Sequence, residues 1–411
     1  MSEKAMNIIY VSNSCSEERF NAMQANGMIR NLPPAQKYHK LLMEGLAKNI
    51  DGRVYSISAM PVNSHTTKRV FFSREEESVN GIEYIYEAFI NLPVVRQITR
   101  YYRTKKAIND ICKRNKDCVI ICDVLIQSIA DACRKAGKKN KAPVMGIVTD
   151  VPGYISGADR QGIPFYKKLF LQYVDRRAQK NSGKYDSYLF LTEEMHKIIN
   201  ERNMPYIVIE GHCDSNMASV ENSTENKSNP KIILYSGGIH REYGVETLVE
   251  GFLKSQLPDW ELHIYGYGNY SEALTELSKK QGNVKFFGVK PNDYVVKKQT
   301  EAFVVVNPRP TNEEFVKYSF PSKNLEYMAS GTAMLTTLLP GMPKEYYDYI
   351  YAITDESIDG MSDAISRVAS LGEAELIGKG SAAKEFVLRE KNNNKQAEKL
   401  AAFIKENLLG K

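Results

Sequence analysis

The stretch NPRPTNEEFVKYSFPSKNLEYMASGTAMLTTLLPGM, Asn307 to Met342, decides how the rest of this 411-residue chain is read. The apolar run leading into it, Ala302 to Val306, has the length and continuity of a buried parallel strand, and Asn307-Pro308 ends it. A polar, irregular segment follows, and then a helix opening at Ser319-Phe320-Pro321-Ser322. Pro321 suits a helix start because the N–H it lacks would find no partner there. The helix runs through Leu325 and Met328 to Ser330, and Gly331 is a fitting stop. Met334 to Leu339 then returns as the next strand. Strand, loop, helix start and strand together aim unbonded backbone N–H groups and a positive dipole end at an anion, the amide of Ser322 among them. Lys323 adds a full charge at that end, and Arg309 leaves the preceding strand from the same side. Glu326 lies one turn inside the helix, where a carboxylate accepts both hydroxyls of a ribose. Phosphate at the helix start with ribose just behind it makes a nucleotide site.

The segment FPSKNLEYMASGTAMLTT resembles the donor-binding signature of the GT-B glycosyltransferases, specifically glycosyltransferase family 4 and its branch for bacterial surface polysaccharides. In that family a Glu-x7-Glu motif ends in LEAMA-x-G-x-P-V. Leu325-Glu326-Tyr327-Met328-Ala329-Ser330-Gly331 matches that end, and Tyr318 stands where the first glutamate falls. Glu313 and Glu314, just upstream, are the carboxylates that can reach in from the loop. The resemblance implies an α/β protein of two Rossmann-like, doubly wound domains facing one another across a cleft. It also implies sugar transfer from a nucleoside-diphosphate donor, a UDP-sugar by analogy, to a glycan acceptor carried on a polyprenyl lipid.

Composition bounds the rest. Apolar residues make up 43% and charged residues 25% of the chain, ordinary for a soluble protein with a sizeable core, and the length suits about two domains. No window approaches the run of about 18 apolar residues that spans a bilayer, and the N-terminus shows no secretory signal. Six cysteines without a C-x-x-C pair or histidines at ligand spacing point to a reduced, cytoplasmic protein, with Cys118 and Cys122 in the core. The net charge of +6 conceals an asymmetry. Residues 1–205 carry 32 Lys+Arg against 21 Asp+Glu, and residues 206–411 carry 23 against 28. A basic first half suits a polyanion or an anionic membrane surface. No nucleic-acid module is recognisable, so nucleic acid is the weaker partner. No Asp-x-Asp pair occurs, so protein cations rather than a metal are expected to meet the diphosphate.

Taken in order, Asn7 to Val11 reads as the opening strand, Ser12 to Leu32 as a long polar loop, and Pro33-Pro34 as the start of an amphipathic helix. The resemblance puts an acceptor or sugar contact at this turn, where Gln36 and His39 are the polar groups, either as contacts or as plain helix-surface residues. Strands follow at Val54–Ser58, Arg69–Phe72 and Gly81–Tyr86. A helical pattern between Leu92 and Asn115 is rich in cations: Arg96, Arg100, Arg103, Lys105, Lys106, Lys113 and Arg114. Further alternation of strand and helix predicts a parallel, doubly wound sheet whose ligands bind beyond the carboxyl ends of the strands. Asp150 stands at one such end, where family members often carry His-Asp. It either accepts the proton of the attacking hydroxyl or orients the sugar, or it caps a turn. In the next segment Phe165, Leu169, Leu171, Tyr173 and Val174 interleave with Lys167, Lys168, Arg176, Arg177 and Lys180. With the cationic helix this forms either a membrane-facing surface or a solvated helix over core.

Residues 213–230 are polar and read as the linker between an acceptor-binding domain, 1–212, and a nucleotide-sugar domain, 231–380. The strand KIILYS ends in Gly237-Gly238, where backbone can approach a ligand closely. Family members often carry an Arg and a Lys on the diphosphate at the places that Gly238 and Tyr243 occupy here. Tyr267, after a strand ending in Gly266, and Val289, after Gly288, stand where relatives meet the nucleobase, and Leu325 belongs to the same signature. The last pattern, from about residue 381 to Leu408, is the helix that GT-B proteins return to the first domain. The catalytic candidates are therefore Asp150, Arg309, Lys323 and Glu314. Donor contacts are expected from Glu326, Ser322, Gly237, Gly238, Tyr267, Val289 and Leu325, with no metal. A sugar-nucleotide 2-epimerase of the same fold, or a non-catalytic nucleotide-sugar binder, is the alternative.

Overall fold

The computed structural model describes residues 5–29, 34–151, 179–312 and 314–410. They divide into two compact units, Met1–His212 with Asn393–Lys411, and Cys213–Asn392.

The first unit runs β1 (Asn7–Ser12), α1 (Glu17–Ala25), α2 (Pro34–Asn49), β2 (Val54–Ser58), β3 (Phe71–Phe72), β4 (Glu75–Val79), β5 (Ile82–Tyr86), β6 (Phe89–Ile90), α3 (Val95–Arg114) and β7 (Cys118–Asp123). It continues with α4 (Gln127–Asn140), β8 (Val144–Val148), β9 (Ser187–Phe190), α5 (Glu193–Ile199) and β10 (Tyr206–Val208). Eight strands form one sheet in the order β10-β9-β8-β7-β1-β2-β5-β4, parallel except for β4. Strands covered on both faces must be apolar throughout, and β1, β7 and β8 are buried almost end to end.

Two features escape the hydrophobic pattern. The stretch read as a loop after β1 holds the short helix α1, whose start is capped by Ser16 Oγ accepting the Arg19 N–H at 3.1 Å. Only Phe20 and Met23 are buried along it, too few apolar positions to register as a period. Strand β4, EEESV, is a glutamate-rich edge strand, and edge strands are commonly blunted with charge.

The second unit comprises β11 (Lys231–Gly238), α6 (Val245–Ser255), β12 (Trp260–Tyr267), α7 (Ser271–Lys280), β13 (Val284–Phe286), α8 (Asn292–Glu301), β14 (Val304–Asn307), α9 (Ser322–Ala329), β15 (Ala333–Thr337), β16 (Tyr351–Ile353), α10 (Ile358–Ala369) and α11 (Glu373–Glu390). Its six strands are all parallel, in the order β13-β12-β11-β14-β15-β16. Strand order therefore reverses between β11 and β14, and the region beyond their carboxyl ends is the usual ligand position in such sheets. Apolar clusters cover both faces, one around Leu248, Phe252 and Leu262, the other around Leu234, Val305 and Met328.

The 213–230 stretch is bound into this second unit. Asn222 Nδ2 donates to Ser330 O and Thr332 Oγ1, both at 2.9 Å, and Lys227 Nζ donates to Thr300 O and Ala302 O at 3.0 and 2.7 Å. Polar composition marks a surface segment without saying whether its polar groups are already used. The last helical pattern is likewise interrupted. Helix α11 stops at Glu390, the Cys213 N–H takes the Lys391 carbonyl at 3.0 Å, and α12 (Asn393–Ile404) then packs on α2 in the first unit.

Candidate active site

The carboxyl end of β11 is built around an ammonium group. A Cβ on Gly237 would lie 1.3 Å from Lys323 Nζ, so the lysine occupies the space a side chain at position 237 would take. Gly237 also sits at φ 156, which an L-residue rarely adopts. The ammonium reaches this spot from the first turn of α9 and lies 5.3 Å from the centre of the Tyr235 ring. Burial pushes it down to about 8, Glu326 draws it back up, and Arg309 pushes it further down. Among the described residues no carboxylate forms an ion pair with Lys323.

Neighbouring loops are packed to the same tolerance. A Cβ on Gly266 would meet Gly237 O at 1.7 Å, and one on Gly244 would meet Pro308 O at 2.1 Å. The ends of β11, β12 and β14 thus close on one another through bare backbone. Arg309 follows β14 with its guanidinium 5.0 Å from the Tyr243 ring centre, and its carbonyl accepts the Thr337 hydroxyl at 2.5 Å. Tyr243 therefore supports a cation that arrives from elsewhere in the fold.

Helix α9 is held against β11 by its own tyrosine. Buried Tyr327 Oη accepts the Ser236 N–H at 2.7 Å and donates to Ser236 O at 3.0 Å, and Tyr235 Oη donates to Gly238 O at 2.8 Å. Pro321 is the N-cap of α9 and no side chain caps the helix, so its first amides stay directed outward beside exposed Ser322. One turn on, half-buried Glu326 accepts the side-chain N–H of fully buried Gln299 at 3.2 Å. The main-chain carbonyl of Gln299 accepts the Thr332 hydroxyl at 2.7 Å. Neither Gln299 nor the two tyrosines stood out in the sequence. Tyr327 lies inside the signature and Tyr235 beside the glycine pair, but Gln299 lies 27 positions away from its partner.

The candidates divide accordingly. Lys323, Arg309, Glu326, Ser322, Gly237 and Gly238 converge on the β11/β14 reversal. Tyr267 and Val289 flank the neighbouring strand end, 72% and 64% exposed, joined through Gly266 N–H to Gly288 O at 2.9 Å. The Leu325 side chain does not join them, being fully buried in the apolar cluster with Val305 and Met328. Glu314 is exposed at the start of the short turn Glu314–Tyr318, with no ion pair to either cation among the described residues, and Glu313 lies outside them. Asp150 belongs to the first unit, two residues past β8. Also in that unit, Gln36 and His39 are neither surface groups nor open to a ligand. Gln36 clamps both backbone groups of Cys15, at 2.9 and 2.7 Å. Fully buried His39 pairs with Tyr10 Oη at 2.7 Å and faces Asp123 at 3.5 Å. The basic apolar segment from Phe165 to Arg177 lies outside the described residues.

Residues 218–385 match the family described as Glycosyl transferases group 1. No curated protein matches the sequence. Solved structures do. Sucrose-phosphate synthase from Thermosynechococcus elongatus aligns over 99% of this chain and 100% of its own, with 14% identity and a TM-score of 0.67. A glycosyltransferase from Rickettsia africae gives 14% identity and a TM-score of 0.64 over 99% and 100% of the two chains. Anabaena Alr3699/HepE in complex with UDP gives 13% and 0.62 over 97% and 100%. Residues 218–385 thus form a glycosyltransferase group 1 domain that spans the β11/β14 site, in a chain that has the GT-B fold.

Proposed function

We propose that the protein is a retaining glycosyltransferase that moves a sugar from a nucleoside-diphosphate donor to a lipid-linked glycan acceptor at the cytoplasmic membrane face, in bacterial cell-surface polysaccharide synthesis. One observation carries the donor half of this reading: the ammonium of Lys323, seated in the space left by Gly237, with Arg309 and Glu326 alongside. In the reaction the bond from the anomeric carbon to the phosphate oxygen breaks, and the nucleoside diphosphate departs with its electron pair. The acceptor oxygen bonds to that carbon and gives its proton to the Asp150 carboxylate. Lys323, Arg309 and the open amides of α9 stabilise the charge that develops on the departing diphosphate. Glu326, oriented by Gln299, receives the ribose hydroxyls. Asp150 is the acceptor-side carboxylate of this reading.

UDP is the first donor base to try, since the Anabaena structures with UDP and with UDP-glucose share the fold. The polysaccharide role is favoured by likeness to the lipopolysaccharide outer core galactosyltransferase WaaB, at a TM-score of 0.59. The reading is tested by a thermal-shift screen of UDP, GDP, ADP, CMP and dTDP on the wild type and on Glu326→Ala. A bound nucleotide raises the melting point through linkage. One diphosphate that stabilises the wild type and not the variant is expected. Absence of any shift in the wild type removes the transferase reading.

A further inference from the structure

The chain between Lys68 and Lys106 exposes large apolar side chains in an unusual concentration. Val70, Phe71, Leu92, Val94, Ile98 and Tyr102 are all solvent-accessible, Val94, Tyr102 and Phe71 at 71%, 65% and 61%. They are contiguous. Strand β3 pairs antiparallel with β6, Phe71 opposite Ile90, and the Asn91 N–H donates to Val70 O at 2.7 Å. The Ile90 N–H reaches Thr99 Oγ1 on α3 at 3.4 Å. Ile98 and Tyr102 are spaced four apart on one face of α3, and Val94 is the N-cap that precedes it. Arg100, Thr104, Ala107, Ile108 and Ile111 fill the opposite, buried face. Val94 stands at φ 65, a conformation that β-branched residues avoid.

Cations surround this apolar strip. Lys68, Arg69, Arg103 and Lys106 are exposed, and among the described residues none of them forms an ion pair. The carboxylates nearby have closer partners: Glu75 pairs with Arg19, Glu76 with Arg74, and Glu87 lies 3.6 Å from Arg74 while also feeling the charges of Arg103 and Lys106. Arg100 is not one of these outward cations. It is buried, lies over the Phe89 ring at 4.9 Å and donates to Met60 O at 2.6 Å, which fixes the hairpin to α3. Protein–protein interfaces are depleted in lysine, whereas apolar residues ringed by Lys and Arg suit the headgroup boundary of an anionic bilayer.

We propose that the β3–β6 hairpin and the outward face of α3 dock on a bilayer with anionic phospholipid headgroups, Phe71, Val94, Ile98 and Tyr102 entering the interface while Lys68, Arg69, Arg103 and Lys106 meet the headgroups. This extends the membrane part of the proposed function. Because vesicle binding needs neither donor nor acceptor, its failure leaves the donor-site reading standing.

Co-sedimentation of the full chain with phosphatidylcholine vesicles, with and without phosphatidylglycerol, decides it. Binding to the anionic vesicles and not to the neutral ones is expected. Arg103→Ala with Lys106→Ala should weaken it about 25-fold at low salt, at about fivefold per cation, and the difference should shrink as salt screens the charges. Ile98→Ser with Tyr102→Ser should weaken binding at every salt concentration. Light scattering then addresses the rival occupant. A dimer abolished by the Ile98/Tyr102 variant would assign the face to a second copy and overturn the proposal. So would wild-type protein that stays in the supernatant with anionic vesicles, or that binds both vesicle types equally.

Discussion

Alanine at position 237 perturbs the site at its tightest point. The added Cβ would fall 1.3 Å from Lys323 Nζ, far inside contact distance, so the lysine tip must swing away. A lysine tip moves cheaply, and the cost appears in binding rather than in packing. Each charge-assisted hydrogen bond lost from the ammonium to a diphosphate is worth about 1.5–3 kcal/mol, roughly a 10- to 150-fold rise in the Kd for UDP. Alanine at φ 156 adds backbone strain of about 1 kcal/mol, which lowers the Tm by about 2–4 °C in a body of this size. Calorimetric titration with UDP and a thermal melt separate the two effects. Lys323→Ala removes the same ammonium without touching the backbone. The double variant Gly237→Ala, Lys323→Ala should therefore bind UDP about as weakly as Lys323→Ala alone, since the two changes disable one group. Losses that add in the double variant, or a Gly237→Ala protein that binds UDP like the wild type, would refute the claim that Gly237 exists to seat Lys323.

The remaining predictions concern pH, the second layer of the site and the acceptor side. Lys323, held down at about 8, is charged below that pH and loses its proton as pH rises through it. UDP affinity should therefore fall above about pH 8, by up to about tenfold per unit, and the fall should be absent in Lys323→Ala titrated across the same range. Gln299→Ala removes the hydrogen bond that orients Glu326. It should weaken UDP roughly 2- to 12-fold and narrow the preference for UDP over 2′-deoxy-UDP, as measured by competition. Asp150→Asn should leave UDP affinity unchanged while lowering kcat by about 100-fold or more, the range of a lost general base; weakened UDP binding would count against an acceptor-side role.

Much of this site is visible before folding because its parts are close in sequence. Strand, helix start, Lys323 and Glu326 all fall within Ala302 to Gly331, and the periodicities of strand and helix are enough to put them on one end of a sheet. The alternation of apolar runs with amphipathic helices likewise announces a parallel sheet, since only strands covered on both faces can be so uniformly apolar. Polar segments were less legible. Helix α1 buries just two side chains, β4 is an acidic edge, and the 213–230 stretch spends its polar groups on distant backbone carbonyls. A pattern of residue types records burial and period; it does not record which hydrogen bonds are already made.

The class of fold, the helix start at Ser322 and the charged residues gathered there are all legible in the linear chain. How those residues are held follows from packing between distant parts of the chain. It set Lys323 into the space of Gly237, brought Tyr243 beneath Arg309, and tied Gln299 to Glu326. It also buried the side chains of Gln36, His39 and Leu325. The physical reason is distance along the chain. Local periodicity follows from backbone geometry within a few residues, whereas these pairings arise when separate strands of a sheet bring their ends together, and close packing then admits few arrangements of the side chains between them.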